Sequence, residues 1–172
     1  EQIVLLRKLW TEKEVSFKGK WHDFQNININ PLPIQQPIPL WMGAGRTHQP
    51  VPPKRVLRRI GKYADGVMPL FRANADTLKL DQNEMAAIEL IRETAAQAGR
   101  DPSTMKMEIS LYPDGKSACQ IHDEIHYLLS IGATHVHFRP GALNLKEQIC
   151  ALEKLADVRD SYLKFSPGAP KL

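Results

Sequence analysis

The chain has 172 residues, 42% of them hydrophobic and 24% charged, enough to close a core without a disulfide framework or a structural metal. Its net charge of +4 is spread along the chain, with one denser stretch at Lys54-Arg55-Val56-Leu57-Arg58-Arg59 and no aromatic platform or nucleic-acid motif beside it. No apolar run reaches membrane-spanning length, and the two cysteines, Cys119 and Cys150, fall within amphipathic helical patterns, so the expectation is a cytoplasmic protein with reduced thiols in or near the core.

The chain opens at Glu1 and goes directly into a helical pattern ending near Thr11, with apolar residues at 3, 5, 6, 9 and 10. No preceding element offers that face a partner, and no signal peptide precedes it, so the chain reads as beginning in mid-domain. Val15 to Phe24 carries a hairpin signal with Gly19 at its tip. Asn30 to Pro39 is proline-rich and extended, because each residue before a proline is driven out of the helical region. It delivers Ile38-Pro39-Leu40-Trp41-Met42, a short apolar run with the profile of a strand buried on both faces, stopped by Gly43-Ala44-Gly45.

Four strand–helix units follow from that run. After a stiff, extended stretch from His48 to Pro53, Arg55 to Tyr63 is helical, and Ala64 to Leu70 is a turn with a short strand. Asp76 to Ala98 is a long amphipathic helix closed by Gly99. Met105 to Tyr112 alternates as a strand, Ala118 to Ile131 is a helix closed by Gly132, Thr134 to Phe138 is the last strand, and Leu145 to Leu163 the last helix. The Pro/Gly-rich tail, 166–172, is expected to fray from a domain spanning 1–165. Regular strand–helix alternation means an α/β fold with parallel strands and helices outside. Four such units build either an open doubly wound sheet or half of an eight-unit barrel, and the pattern alone does not separate the two.

Several segments carry a resemblance. Leu9-Trp10-Thr11-Glu12 with Val15-Ser16-Phe17-Lys18-Gly19-Lys20-Trp21, then Pro37-Ile38-Pro39-Leu40-Trp41-Met42-Gly43, then Leu57-Arg58-Arg59-Ile60-Gly61-Lys62-Tyr63-Ala64-Asp65-Gly66 resemble, in order, the second half of luciferase-like oxidoreductases. Ala98-Gly99-Arg100-Asp101-Pro102 and Gly132-Ala133-Thr134-His135 continue the series, which is most similar to the coenzyme F420-dependent branch. The resemblance implies a partial TIM-type (β/α)8 barrel, its strands five to eight preceded by a helix and a β-hairpin. It also implies hydride transfer between F420, or alternatively FMN, and an organic substrate, with the cofactor carrying the hard chemistry. With strands one to four missing, little or no activity is expected of this chain alone. The alternative is a non-enzymatic half barrel that pairs its open edges with a second copy or a partner subunit.

The candidate site residues follow. Gly43-Ala44-Gly45-Arg46-Thr47 lies after a strand and before a helix, where glycines let backbone N–H groups approach an anion. Read alone, such a glycine pair is usually a turn that simply makes room; the resemblance implies that the loop after strand five grips the cofactor phosphate. Of Arg58 and Arg59, one is expected in a salt bridge and the other on the surface. Asp65-Gly66 has a structural reading, with Asp closing a turn through an Asx bond and Gly at positive φ. Met68 and Phe71, after strand six, line a cofactor or substrate pocket or else pack the core. His137 and Arg139 face the substrate space or pack a polar barrel interior; His135 and His137 point the same way, yet a metal site needs a third ligand and none is spaced for it. His122 and His126 read as surface residues. No nucleophile triad, carboxylate pair or Walker loop is visible.

Overall fold

The computed structural model describes residues 1–141 and 144–165, so the tail expected to fray lies outside the described residues. Helix α1 (Gln2–Thr11) leads into an antiparallel hairpin of β1 (Val15–Lys18) and β2 (Asp23–Ile27), turned where the Gly19 N–H donates to the His22 carbonyl at 2.8 Å. Then β3 (Trp41–Ala44), α2 (Lys54–Tyr63), β4 (Gly66–Pro69), α3 (Gln82–Gln97), β5 (Lys106–Leu111), α4 (Ala118–Ser130), β6 (His135–Phe138) and α5 (Leu145–Phe165) alternate. The last four strands form one parallel sheet in the order β3-β4-β5-β6. That order favours the barrel over the doubly wound sheet. A doubly wound sheet reverses direction at a switch point, whereas strands adding always on the same side are the winding of a barrel.

The period of two sorts the side chains between the faces. Ala44, Val67, Met107, Ile109 and Leu111 point outward, with Val136 and Phe138 beside them, onto Leu57, Ile60, Ile88, Ile91, Ile121 and Leu128 of the helices. The alternate positions, Trp41, Gly43, Met68, Glu108, His135 and His137, form the opposite face, and the sheet curls around them. Across that concavity the Trp41 indole on β3 meets the His135 imidazole on β6, with ring centroids 5.4 Å apart at 85°. Gly66 lies beneath the indole: a β-carbon there would stand 2.4 Å from the ring. Its φ is not positive, so close approach of Trp41, not turn geometry, is what requires glycine, contrary to the sequence expectation.

Asp65 is a structural hub, though by a different set of bonds from an Asx turn. Its carboxylate accepts the Leu40 N–H at 2.8 Å, the Arg7 guanidinium at 2.7 Å and the Arg100 guanidinium at 3.1 Å, joining α1, the entry to β3 and the end of α3.

Other departures have local causes. Helix α3 begins at Gln82 and not at Asp76, because the Asn74 side chain accepts the N–H groups of Asp76 and Thr77 in a turn, and Asp81 with Glu84 forms a reciprocal capping box. β3 starts at Trp41, after Pro37 and Pro39, and takes in Gly43 and Ala44; it lies at the sheet's rim and is not buried on both faces, with Trp41 and Met42 half-buried and Gly43 exposed. The His48 to Pro53 stretch is not simply extended: Arg46 and Gln49 exchange two backbone bonds of 2.9 Å around a turn at Thr47-His48. Arg58 and Arg59 are both exposed, with no ion pair among the described residues. Cys119 and Cys150 are exposed free thiols, because α4 turns Ile121, Glu124, Ile125 and Leu128 inward and α5 turns in Leu155 and Val158. On α1, Leu5 is buried while Val4 and Leu6 stay exposed. Among the described residues no helix is long and apolar enough to cross a membrane.

Candidate functional site

The concave face and the C-terminal rim of the sheet hold most of the polar side chains that sequence pattern singled out. At the rim of β3, Gly43 is the Cα partner of Met68 on β4. A β-carbon on Gly43 would have no heavy atom within 4 Å, and Met68 beside it is 39% exposed, so an open shelf lies over the end of these two strands. Ala44 turns its methyl into the core, and its carbonyl accepts the Leu70 N–H at 2.9 Å; it contributes packing beneath the shelf.

Gly45 has φ of 94°, the left-handed region that a side chain disfavours, and a β-carbon there would stand 2.1 Å from the Pro50 carbonyl oxygen. The five residues that follow Gly45, to Pro50, therefore fold back on it. This turn uses the Arg46 N–H on Gln49, which removes one donor from any ligand. The Arg46 guanidinium and the Thr47 hydroxyl are exposed at the turn. Helix α2 starts soon after, with no acidic side chain in its first turn, so its positive dipole end is left unopposed by a carboxylate of its own.

On β6, His137 is exposed and its Nδ1 lies 3.6 Å from Oε1 of Glu108 on β5, an ion-pair distance and longer than a hydrogen bond. Arg139 continues the alternation of His135 and His137 and is exposed, with its N–H donating to the Leu111 carbonyl at 2.8 Å. His135 Nδ1 lies 2.9 Å from the Thr134 hydroxyl. Phe71 goes elsewhere: at 1% exposed it belongs to the core cluster on the helix side. The structure thus places Gly43, Met68, His137 and Arg139 on or above one concave face, puts Arg46 and Thr47 at its rim, and sets Phe71 apart.

Two residues of this face went unremarked in the sequence pattern. Glu108 and Ser110 occupy the alternate positions of β5, opposite Met107, Ile109 and Leu111. A polar alternation on a strand expected inside a barrel is the signal that points to them. Among the described residues no group of three or more metal-ligating side chains comes together.

A family model described as luciferase-like monooxygenase matches residues 1–113. The chain belongs to this family. It is 33% identical over 124 residues to the F420-dependent glucose-6-phosphate dehydrogenase of Gordonia bronchialis, a stretch covering 70% of this chain and 33% of that protein. It is 28% identical over 126 residues to the F420-dependent hydroxymycolic acid dehydrogenase of Mycobacterium tuberculosis, covering 72% of this chain and 31% of the other. Among solved structures it is similar to the coenzyme F420-dependent tetrahydromethanopterin reductase from Methanopyrus kandleri, with a TM-score of 0.61 and 16% identity over 87% of this chain and 58% of that one. That likeness places the four-stranded sheet as part of a luciferase-like barrel. The chain spans about a third of the length of the curated relatives it matches. The family match ends before β6, so His137 and Arg139 rest on the geometry of the concave face and not on the match.

Proposed function

We propose that this chain forms the phosphate-holding side of an F420-dependent oxidoreductase, with Gly43, Gly45, Arg46 and Thr47 at the cofactor and Met68, His137 and Arg139 toward the substrate. The observation that carries the reading is the glycine pair at the end of β3. One glycine leaves open space above the strand, and the other turns the chain so that Arg46 and Thr47 stand at the rim of that space. Such a rim suits an anion. The guanidinium supplies a charge-assisted donor, the hydroxyl a neutral one, and the start of α2 a favourable field. F420 is favoured over FMN by the relatives' names, and when bound it supplies the hydride chemistry. The chain's own residues bind and orient: Met68 offers an apolar edge beside the shelf, and His137 with Arg139 presents donors to a polar substrate. The relatives' named substrates differ from one another, so the substrate is assigned only as an organic molecule that gives or takes a hydride. Activity of this chain by itself is expected to be weak or absent.

The test is a fluorescence titration with F420 and, separately, with FMN, repeated on Gly45→Asp and Arg46→Ala with melting curves for both. Saturable binding of F420 below roughly 50 µM, about 6 kcal/mol, that both substitutions weaken supports the reading. Absence of binding by either cofactor, or binding indifferent to both substitutions in folded protein, sinks it.

A second reading is favoured by a separate observation. Among the described residues β3 pairs with β4 alone and β6 with β5 alone, which leaves a row of backbone groups along each rim of the sheet. Leu145, Ile149 and Leu152 add an exposed apolar stripe on α5. On this reading the chain is a non-enzymatic domain held by self-association or by a partner subunit. Sedimentation across a concentration series tests it: a strict monomer removes the self-association arm.

A further inference from the structure

On the convex side of the sheet, helices α3 and α4 stand apart. Helix α3 leans toward α2, which it meets at Gly61, where a β-carbon would fall 2.4 Å from the Ile91 carbonyl oxygen. The strands beneath also part. The β4–β5 register runs from Gly66↔Lys106 to Val67↔Met107 and stops, because the next N–H due to point at β5 would belong to Pro69, which has none. What remains is a cleft of about 520 Å³ floored by Val67, Phe71, Ile88, Met105, Met107 and Ala133.

Two polar links join the α3 side to the α4 side. The Tyr127 hydroxyl on α4 accepts the Leu80 N–H at 3.2 Å and lies 3.6 Å from the Met85 sulfur. At the cleft itself, the Arg92 guanidinium on α3 donates to the Ile131 carbonyl at 2.6 Å. Gly132 makes room for it, since a β-carbon there would stand 2.4 Å from Arg92 Nη2. Among the described residues Arg92 is the one charged residue in the lining. Its ion pair with Glu89, 2.9 Å, is between side chains 35% and 56% exposed, and such pairs exchange partners at little cost.

We propose that this cleft binds a single-chain carboxylate amphiphile, a medium-chain fatty acid, with its tail on the apolar floor and its head at Arg92. The volume falls in the range of small-molecule sites. An apolar floor gains free energy from a hydrocarbon chain, and a guanidinium at the mouth whose exposed Glu89 pair exchanges readily favours an anion over a cation. The cleft lies on the far side of the sheet from the concave face, so this assignment stands independently of the cofactor reading.

The chain has five methionines, and they report on both faces. In protein labelled with 13C at the methionine methyls, decanoate should shift the Met105 and Met107 signals saturably and leave Met68, on the concave face, unmoved. Ala133→Leu fills the floor and should abolish those shifts; Ser103→Trp, at the rim, serves the same purpose if the first variant melts early. Arg92→Gln should weaken decanoate roughly tenfold, the effect of one lost charge-assisted bond, while leaving decanol unchanged. The proposal is overturned by the absence of saturable shifts at Met105 and Met107, by shifts at Met68 in their place, or by unaltered affinity in a folded filled variant. Equal decanoate affinity in Arg92→Gln overturns the carboxylate assignment.

Discussion

Replacing Asp65 with Ala removes three acceptor contacts at once, and the structure sets the size of the loss. The carboxylate takes the Leu40 N–H at 2.8 Å, Arg7 at 2.7 Å and Arg100 at 3.1 Å. The Leu40 bond is a backbone donor to a charged acceptor and contributes about 1.5 kcal/mol. The aspartate side chain is 31% exposed and the two arginines 32% and 26%, so each ion pair is discounted to roughly 0.5–1 kcal/mol. Asp65→Ala should therefore cost about 3 kcal/mol. Asp65→Asn keeps an acceptor for Leu40 and loses mainly the charge, so it should cost about half as much. Urea unfolding reads both as shifts in midpoint at constant slope. Raising the salt toward ~1 M should narrow the gap between wild type and the Asn variant, because partly exposed charges are screened. An Ala variant within about 0.5 kcal/mol of wild type would refute the hub, since surface changes away from such features fall in that range. Equal losses in Ala and Asn would show that the Leu40 bond contributes nothing.

Gly66→Ala should destabilise by about 1–3 kcal/mol and alter tryptophan emission, because the new methyl meets the Trp41 ring; an unchanged spectrum would contradict the packing. Burial pushes the Glu84 carboxyl up, outweighing the N–H groups of Asp81 and Arg72 that pull it down. The folded protein then holds this proton more tightly than the unfolded chain. Stability should fall as pH rises from the ordinary glutamate range through the raised folded value, and Glu84→Gln should flatten that window in urea midpoints measured against pH. Both cysteines should react with a thiol reagent in native buffer at rates near those of the unfolded chain; slow reaction of either would place it inside after all.

Much of this fold was legible because its elements are strongly periodic. The glycines closing α3 and α4, the alternation of β5 and the four strand–helix units follow from patterns of two and 3.6 residues. The start of α3 was obscured for a definite reason. Asp81-Gln82-Asn83-Glu84 is a readable capping signal, but the residues before it continue the apolar rhythm and hide it. The buried place expected for Cys119 failed because α4 turns Glu124 inward among its apolar residues, which moves the inner face away from Cys119. The reason for Gly66 was not readable at all, since it depends on a ring brought over it from another strand. At the site, the glycines at the end of β3 announced themselves. Glu108 and Ser110 required knowing which side of the sheet the curvature encloses.

The contact between Trp41 and His135 has a mechanical meaning. The four parallel strands trace an arc, and these two rings, set on its first and last members, form a chord across it. With four strands at their usual spacing setting the length of the arc, the chord sets its radius. In a barrel, radius and strand number are tied together, so an arc held to one curvature fits a closed ring of one size. Any strand that docks on either rim, whether from the same chain or another, would meet an angle already set by an indole and an imidazole.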